Sequence, residues 1–120
     1  MAEIKEYKNL INGEWKESKE QITIYSPIDN KEIGKVQAMT HKEIDDAMAA
    51  AKAAMKAWRE VPIVERAKVL YKAAELLEKR KNEIGEVLAE EVAKNLKSAV
   101  SEVVRTADLI RYTAEEGIRV

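Results

Sequence analysis

After residue 40, apolar residues recur along the chain at steps of three and four, the spacing that places side chains on one face of a helix. This period predicts four helices, at about 40–59, 62–80, 81–94 and 97–117. We interpret the two methionines of the first stripe as core side chains. The first three stripes consist of Ile44, Ala47, Met48, Ala51, Ala54, Met55 and Trp58, then Val64, Ala67, Leu70, Tyr71, Ala74 and Leu77, then Ile84, Val87, Leu88 and Val92.

Residues that are favoured at helix termini mark the predicted helix boundaries. Thr40 precedes Glu43 by three residues, the spacing of a capping box in which each side chain accepts the other residue's backbone N–H. Pro62 is tolerated only in the first turn of a helix, so it separates the first helix from the second. Asn95 is predicted to end the third helix in a left-handed conformation, which asparagine adopts more readily than most residues.

The strand signals all lie in residues 1–38. Asn12-Gly13 stands between short apolar runs and predicts a β-hairpin, because both positions of the favoured two-residue turn need positive φ. Ile22 and Ile24 alternate with polar residues up to Pro27, and a further short strand is predicted around 33–36. The predicted fold class is therefore mostly α with a small N-terminal β-hairpin and strand region, an α+β arrangement.

Composition narrows the function classes. The 21 Lys and Arg residues balance 22 Asp and Glu residues at a net charge of −1, and the two signs alternate along the helices, which argues against nucleic-acid and membrane partners. The chain has no cysteine, so it has neither disulfides nor a cysteine nucleophile of its own. We find no signal peptide or membrane-spanning run and expect a cytoplasmic protein.

Other candidate chemistry is sparse. His41 stands alone in the first turn of a predicted helix, with no second ligand at metal-binding spacing, and is interpreted as a surface residue. Glycines 13, 34, 85 and 117 are scattered singly and form no phosphate-binding loop. Neither a metal site nor a nucleotide cradle is predicted within these residues.

The fourth predicted helix carries charges among its apolar residues. Arg105 falls almost opposite the main stripe, and Leu109 and Tyr112 lie on its side, so this second face is not simply polar. Two interpretations stay open on the pattern alone: a solvated Arg105 paired with Glu102 or Asp108, or a face covered by another part of the protein. The main stripe consists of Val100, Val103, Val104, Ala107, Ala114 and Ile118, with Ile110 at its edge.

Arg111 projects from this main stripe. We expect its aliphatic stem to pack and its charge to lie near Glu115. Arg111 is therefore left out of the predicted site.

Longer stretches carry a resemblance to a known family. "INGEW", "YSPIDNKEIGKVQA" and "AAKAAMKAWREVPIVERAKVLYKAAELLEKRKNEIGEVLAEEVAK" resemble the opening segment of the aldehyde dehydrogenase superfamily, in the same order and over essentially the whole chain. The run "KSAVSEVVRTA" is similar to the corresponding helix of the non-phosphorylating, NADP-dependent glyceraldehyde-3-phosphate dehydrogenases. Those relatives typically have a glycine where this chain has Asn95. The resemblance implies that residues 1–120 form a single N-terminal segment of the α/β aldehyde dehydrogenase-like fold.

The resemblance also implies an activity for the complete protein. Members of that group oxidise glyceraldehyde 3-phosphate to 3-phosphoglycerate through a cysteine thiohemiacetal and hydride transfer to NADP, and a glutamate assists thioester hydrolysis. None of these catalytic residues falls in the matched segment, so this chain alone is not expected to be active. The implied partners are the remainder of the enzyme and the substrate, in a homo-tetramer, and the one implied site residue is Arg105, as a ligand of the anionic substrate.

Two hypotheses follow. The chain is either the N-terminal part of such an enzyme or a non-catalytic helical interaction module with an aldehyde dehydrogenase-derived scaffold. The apolar residues Ile118 and Val120 near the end of the chain favour continuation and hence the first hypothesis. In that case, we expect exposed apolar surfaces that face the missing portion.

Overall fold

A computed structural model describes residues 4–120 and divides the chain into two compact units, one ending at Glu60 and the other running from Val61 to Val120. The predicted fold class is confirmed, since the chain is mostly helical with a few short strands. The predicted single segment thus consists of two units. Within residues 4–120, no helix is long and apolar enough to cross a membrane.

The first unit contains five short strands and one helix among its described residues. A three-stranded sheet has the order β1-β5-β4, in which β1 runs parallel and β4 antiparallel to β5, and β2 and β3 form a separate antiparallel pair. The elements are β1 (Lys5–Tyr7), β2 (Asn9–Ile11), β3 (Glu14–Lys16), β4 (Glu20–Tyr25), β5 (Glu32–Ala38) and α1 (His41–Glu60).

The hairpin between β2 and β3 is confirmed. Asn12 has φ of 51° and Gly13 has φ of 77°, so both turn residues adopt the left-handed conformation that a two-residue hairpin turn requires. Leu10 pairs directly with Trp15 across the two strands. The turn chemistry therefore determines the register of this hairpin.

The capping box at the start of α1 is also confirmed. The backbone N–H of Thr40 donates to Glu43 Oε2 at 2.7 Å, and the backbone N–H of Glu43 donates to Thr40 Oγ1 at 3.3 Å. The hydrogen bond from the Thr40 backbone is the main cause that lowers the pKa of the Glu43 carboxyl from 4.5. The first turn of α1 is thus stabilised by an ionised side chain.

We expect the Glu43→Gln variant to lose part of the acid sensitivity of the first unit. Since the pKa of Glu43 is lower in the folded than in the unfolded chain, its contribution is fully present above pH 4.5 and disappears as pH falls through the folded pKa. Glutamine can complete a capping box without titrating. Helicity followed by circular dichroism from pH 7 to 2 measures this, with Glu86→Gln, an exposed carboxylate in another helix, as control. Equal acid sensitivity in wild type and Glu43→Gln would contradict it.

The apolar stripe of α1 is exposed rather than buried. None of its residues is buried in this chain, and Met48 and Met55 are 66% and 55% exposed. The interpretation of the two methionines as core side chains is therefore wrong for this chain, because periodicity identifies an apolar face but not what covers it. Such a face matches the exposed apolar surface expected of an enzyme segment.

The second unit is built from three helices. These are α2 (Ile63–Lys79), α3 (Lys81–Val92) and α4 (Leu96–Arg119), and both α2 and α3 pack on α4. Alanines and one valine form the buried contacts, and their small side chains let the helix axes approach closely. The buried hydrophobic residues are Ala67, Ala74, Ala99, Val103, Ala107 and Ala114.

The connection between α3 and α4 differs from the prediction. Ala93, not Asn95, adopts the left-handed conformation at the end of α3, with φ of 54°. Asn95 instead caps the start of α4, where its side chain accepts the backbone N–H of Ser98 at 3.4 Å. Asparagine is favoured at both kinds of helix end, so its identity alone could not distinguish the two roles.

Candidate functional site

The candidate site lies on one exposed face of α4. Arg105, Leu109 and Tyr112 follow one another at steps of four and three residues, and we call these three residues the Arg105 face. All three are exposed, and Leu109 and Tyr112 are 64% and 61% exposed. The opposite side of α4 is buried and consists of Ala99, Val103, Ala107 and Ala114. The helix therefore holds Arg105 on its outer surface.

The carboxylates on either side of Arg105 are held by other cations. Glu102, three residues before Arg105, forms an ion pair with Lys94. Asp108, three residues after it, lies 3.1 Å from an Arg111 guanidinium nitrogen. Within residues 4–120 we find no hydrogen bond or ion pair to Arg105 itself. Of the two interpretations that the pattern left open, the pairing of Arg105 with Glu102 or Asp108 is therefore not observed within residues 4–120.

Arg111 has a different partner from the predicted one. Its guanidinium bonds Glu78 of α2 at 2.5 Å as well as Asp108, whereas Glu115 lies within 3.4 Å of Arg119. The prediction that the Arg111 charge lies near Glu115 is therefore wrong, since a bond between two helices overrides the pairing expected along one helix. Arg111 stays outside the candidate site, in agreement with its interpretation as a packing residue.

Neighbouring positive charges favour the ionised form of the Glu102 carboxyl beside Arg105. The hydrogen bond from Lys94, followed by its Coulombic attraction, lowers the pKa of the Glu102 carboxyl, and the positive charge of Arg105 lowers it further. Arginine remains protonated throughout the physiological range. Within the described residues 4–120, the site therefore presents a planar cation without an ion-pair partner, beside a carboxylate that Lys94 already neutralises.

This arrangement can bind an anion. A guanidinium offers several N–H donors in one plane, which match the oxygens of phosphate or carboxylate groups. The sequence has no cysteine, and the described residues contain no cluster of three or more potential metal ligands. The four glycines form no phosphate-binding loop motif, and no cofactor contact is assigned to residues of this chain.

His41 occupies the place that the sequence predicted. It is exposed at the start of α1, and within residues 4–120 it belongs to no group of potential metal ligands. Its interpretation as a surface residue stands on this exposure.

A polar cleft in the first unit was not predicted. It has a volume of about 210 Å³ and lies between the β2–β3 hairpin and the start of α1. Three of its charged side chains form ion pairs, Lys16 with Glu14, Glu17 with Lys8, and Asp46 with Lys42, and the fourth, Glu43, accepts hydrogen bonds from Thr40. The charged side chains of this cleft therefore all have local hydrogen-bond or ion-pair partners, whereas Arg105 has none within residues 4–120.

Comparison with known proteins identifies the family of this chain. The aldehyde dehydrogenase family matches residues 15–120. An NADP-dependent glyceraldehyde-3-phosphate dehydrogenase from Streptococcus equinus is 56% identical over 115 residues, which are 96% of this chain and 24% of that protein. The Zea mays protein of the same name is 47% identical over 95% of this chain and 23% of its own length.

A solved structure shows the same likeness in three dimensions. The NADP-dependent glyceraldehyde-3-phosphate dehydrogenase from Bacillus halodurans C-125, complexed with NADP, has a TM-score of 0.93 and 47% identity over 95% of this chain and 24% of that one. This chain spans about a quarter of the length of the relatives that it matches. The chain belongs to the aldehyde dehydrogenase family.

Proposed function

We propose that this chain is the N-terminal part of an NADP-dependent oxidoreductase that oxidises glyceraldehyde 3-phosphate to 3-phosphoglycerate. The observation that carries the proposal is 56% identity, over nearly the whole chain, to the Streptococcus equinus enzyme named for that substrate and cofactor. The Bacillus halodurans structure, described as a complex with NADP, supports the same cofactor.

The chemistry divides between this segment and the rest of the protein. Oxidation of an aldehyde to a carboxylate removes two electrons as a hydride, which NADP⁺ accepts, and adds one oxygen from water. Because this chain has no cysteine, the nucleophile that attacks the aldehyde must come from outside residues 1–120. The segment contributes scaffold and, through Arg105, charge.

Arg105 is proposed as a ligand of the substrate's anionic group. Its guanidinium is unpaired among the described residues, and its permanent charge and planar donors suit a phosphorylated aldehyde. The neighbouring Leu109 and Tyr112 leave an apolar surface exposed on the same face. We propose that the remainder of the protein covers this surface and completes the site.

The proposal includes an assembly and a location. By resemblance, the complete protein is a cytoplasmic homo-tetramer that acts on a glycolytic triose phosphate, without nucleic-acid or membrane partners. Within residues 1–120 the net charge of −1 gives no general attraction to nucleic acid or to an anionic membrane surface. Size-exclusion chromatography with light scattering of the complete protein tests the tetramer.

An activity assay tests the proposed function. The coding frame is read beyond Val120, and its full-length product is mixed with glyceraldehyde 3-phosphate and NADP without inorganic phosphate. We expect NADPH formation, measured at 340 nm, and unphosphorylated glyceraldehyde serves as the matched control substrate. A stop codon directly after Val120, or no NADPH with either aldehyde, would contradict the proposal and favour a non-catalytic helical interaction module.

A further inference from the structure

The turn between α3 and α4 brings a lysine beside the candidate site. The left-handed Ala93 ends α3, and the backbone N–H of Lys94 donates to the carbonyl of Ala89 at 3.1 Å. The Lys94 ammonium group then hydrogen-bonds Glu102 on the second turn of α4. The two side chains are 33% and 41% exposed, so solvent only partly screens their charges.

Glu102 is a potential competitor for Arg105. The two residues are three positions apart on α4, a spacing at which oppositely charged side chains on a helix can pair. Their charges already interact, since the positive charge of Arg105 lowers the pKa of the Glu102 carboxyl. In the structure Glu102 is bonded to Lys94 instead, and Arg105 has no ion pair within residues 4–120. Since Asp108 on the other side of Arg105 is held by Arg111, the partner of Glu102 decides whether Arg105 is available.

We infer that Lys94 is a positioning residue of the substrate site: by holding the Glu102 carboxylate, it keeps the Arg105 guanidinium unpaired and open to an anionic substrate. The inference rests on the proposed function, because it assigns Lys94 a role only if Arg105 binds the substrate. Lys94 acts through Glu102 and needs no contact with the substrate. Its effect is thus limited to substrates that carry a negative group.

The size of the effect follows from the strength of partly exposed ion pairs. Such pairs are weak, so pairing of Arg105 with a Glu102 released from Lys94 would weaken substrate binding by only about two- to fivefold. The competition acts on binding and not on the chemical step. KM should therefore change while kcat does not.

The test uses the full-length protein with three variants of matched chemistry. Lys94→Met removes the charge and keeps the length of the aliphatic stem. The double variant Lys94→Met/Glu102→Gln also removes the competing carboxylate. Lys97→Met removes a nearby exposed lysine from the first turn of α4 as control. Steady-state kinetics are measured with glyceraldehyde 3-phosphate and with unphosphorylated glyceraldehyde.

We expect Lys94→Met to raise KM for glyceraldehyde 3-phosphate about two- to fivefold with unchanged kcat, and the double variant to restore the wild-type KM. Lys97→Met and the unphosphorylated aldehyde should show no such change. An unchanged KM in Lys94→Met would overturn the inference. Failure of the double variant to restore KM would also overturn it, because a lysine that binds phosphate directly, or only stabilises the turn, is not replaced by removing Glu102.

Arg105→Ala separates this inference from the proposed function. A higher KM in Arg105→Ala with no effect of Lys94→Met overturns the role of Lys94 alone. An unchanged KM in Arg105→Ala overturns the role of both residues. Absence of any turnover of glyceraldehyde 3-phosphate overturns the proposed function as well.

Discussion

Replacement of Arg105 by alanine in the full-length enzyme is expected to raise KM for glyceraldehyde 3-phosphate tenfold or more, a loss of about 1.4 kcal/mol of binding free energy. The physical reason is that the carboxylates three residues to either side are bonded to Lys94 and Arg111, which leaves the Arg105 guanidinium for an external anion. Charge-assisted hydrogen bonds of arginine to phosphate are among the stronger polar contacts in proteins. The measurement is a steady-state titration of the aldehyde at saturating NADP.

Two controls isolate the charge at Arg105. Arg119→Ala removes another arginine of α4 that is already paired, at 2.8 Å from Glu116, and should leave KM unchanged. Unphosphorylated glyceraldehyde lacks the phosphate group, so its KM should be the same in wild type and Arg105→Ala. Arg105→Lys should recover only part of the affinity, because a lysine lacks the planar pair of donors. An unchanged KM for the phosphorylated aldehyde in Arg105→Ala would remove Arg105 from the substrate site.

Local patterns in the sequence predicted most of the secondary structure. The hairpin turn followed from Asn12-Gly13, and the start of α1 followed from Thr40 and Glu43, because each depends on a few neighbouring residues. The strand β1 was not predicted, since its three residues have no apolar period and it exists through parallel pairing with β5. Pairing between segments distant in sequence leaves no local signal.

The environment of Arg105 could be predicted only in part. Helical periodicity placed Arg105 opposite the buried stripe, and the structure shows it exposed. The bonds from Lys94 to Glu102 and from Arg111 to Glu78 join different elements, so a helical wheel of α4 cannot contain them. Without those bonds, the helical pattern alone favoured pairing of Arg105 along its own helix. The role of Arg105 in substrate binding stays a prediction that the kinetic variants test.

Hydrophobic periodicity also gave too little weight to small residues in the buried contacts. Large apolar side chains dominated the predicted stripes, yet the buried contacts of the second unit are chiefly alanines, together with Gly85 of α3. Close approach of two helices excludes large side chains from the contact itself and places them at its edges. Val64 and Leu70, both predicted as stripe residues, are exposed in this chain.

Gly85→Ala is expected to destabilise the second unit by about 1–2 kcal/mol, although alanine normally stabilises a helix relative to glycine by about 0.5–1 kcal/mol. A Cβ atom at Gly85 would lie 2.6 Å from Val100 Cγ2 and 3.1 Å from the Val100 backbone nitrogen, so rotation of the valine side chain cannot relieve the contact and α3 must move away from α4. Gly117→Ala is the matched control, because a Cβ atom there meets nothing within 4 Å, and it should stabilise α4 by about 0.5 kcal/mol. Urea unfolding of both variants followed by far-UV circular dichroism measures the two changes. Stabilisation by Gly85→Ala would show that α3 and α4 do not approach this closely in solution.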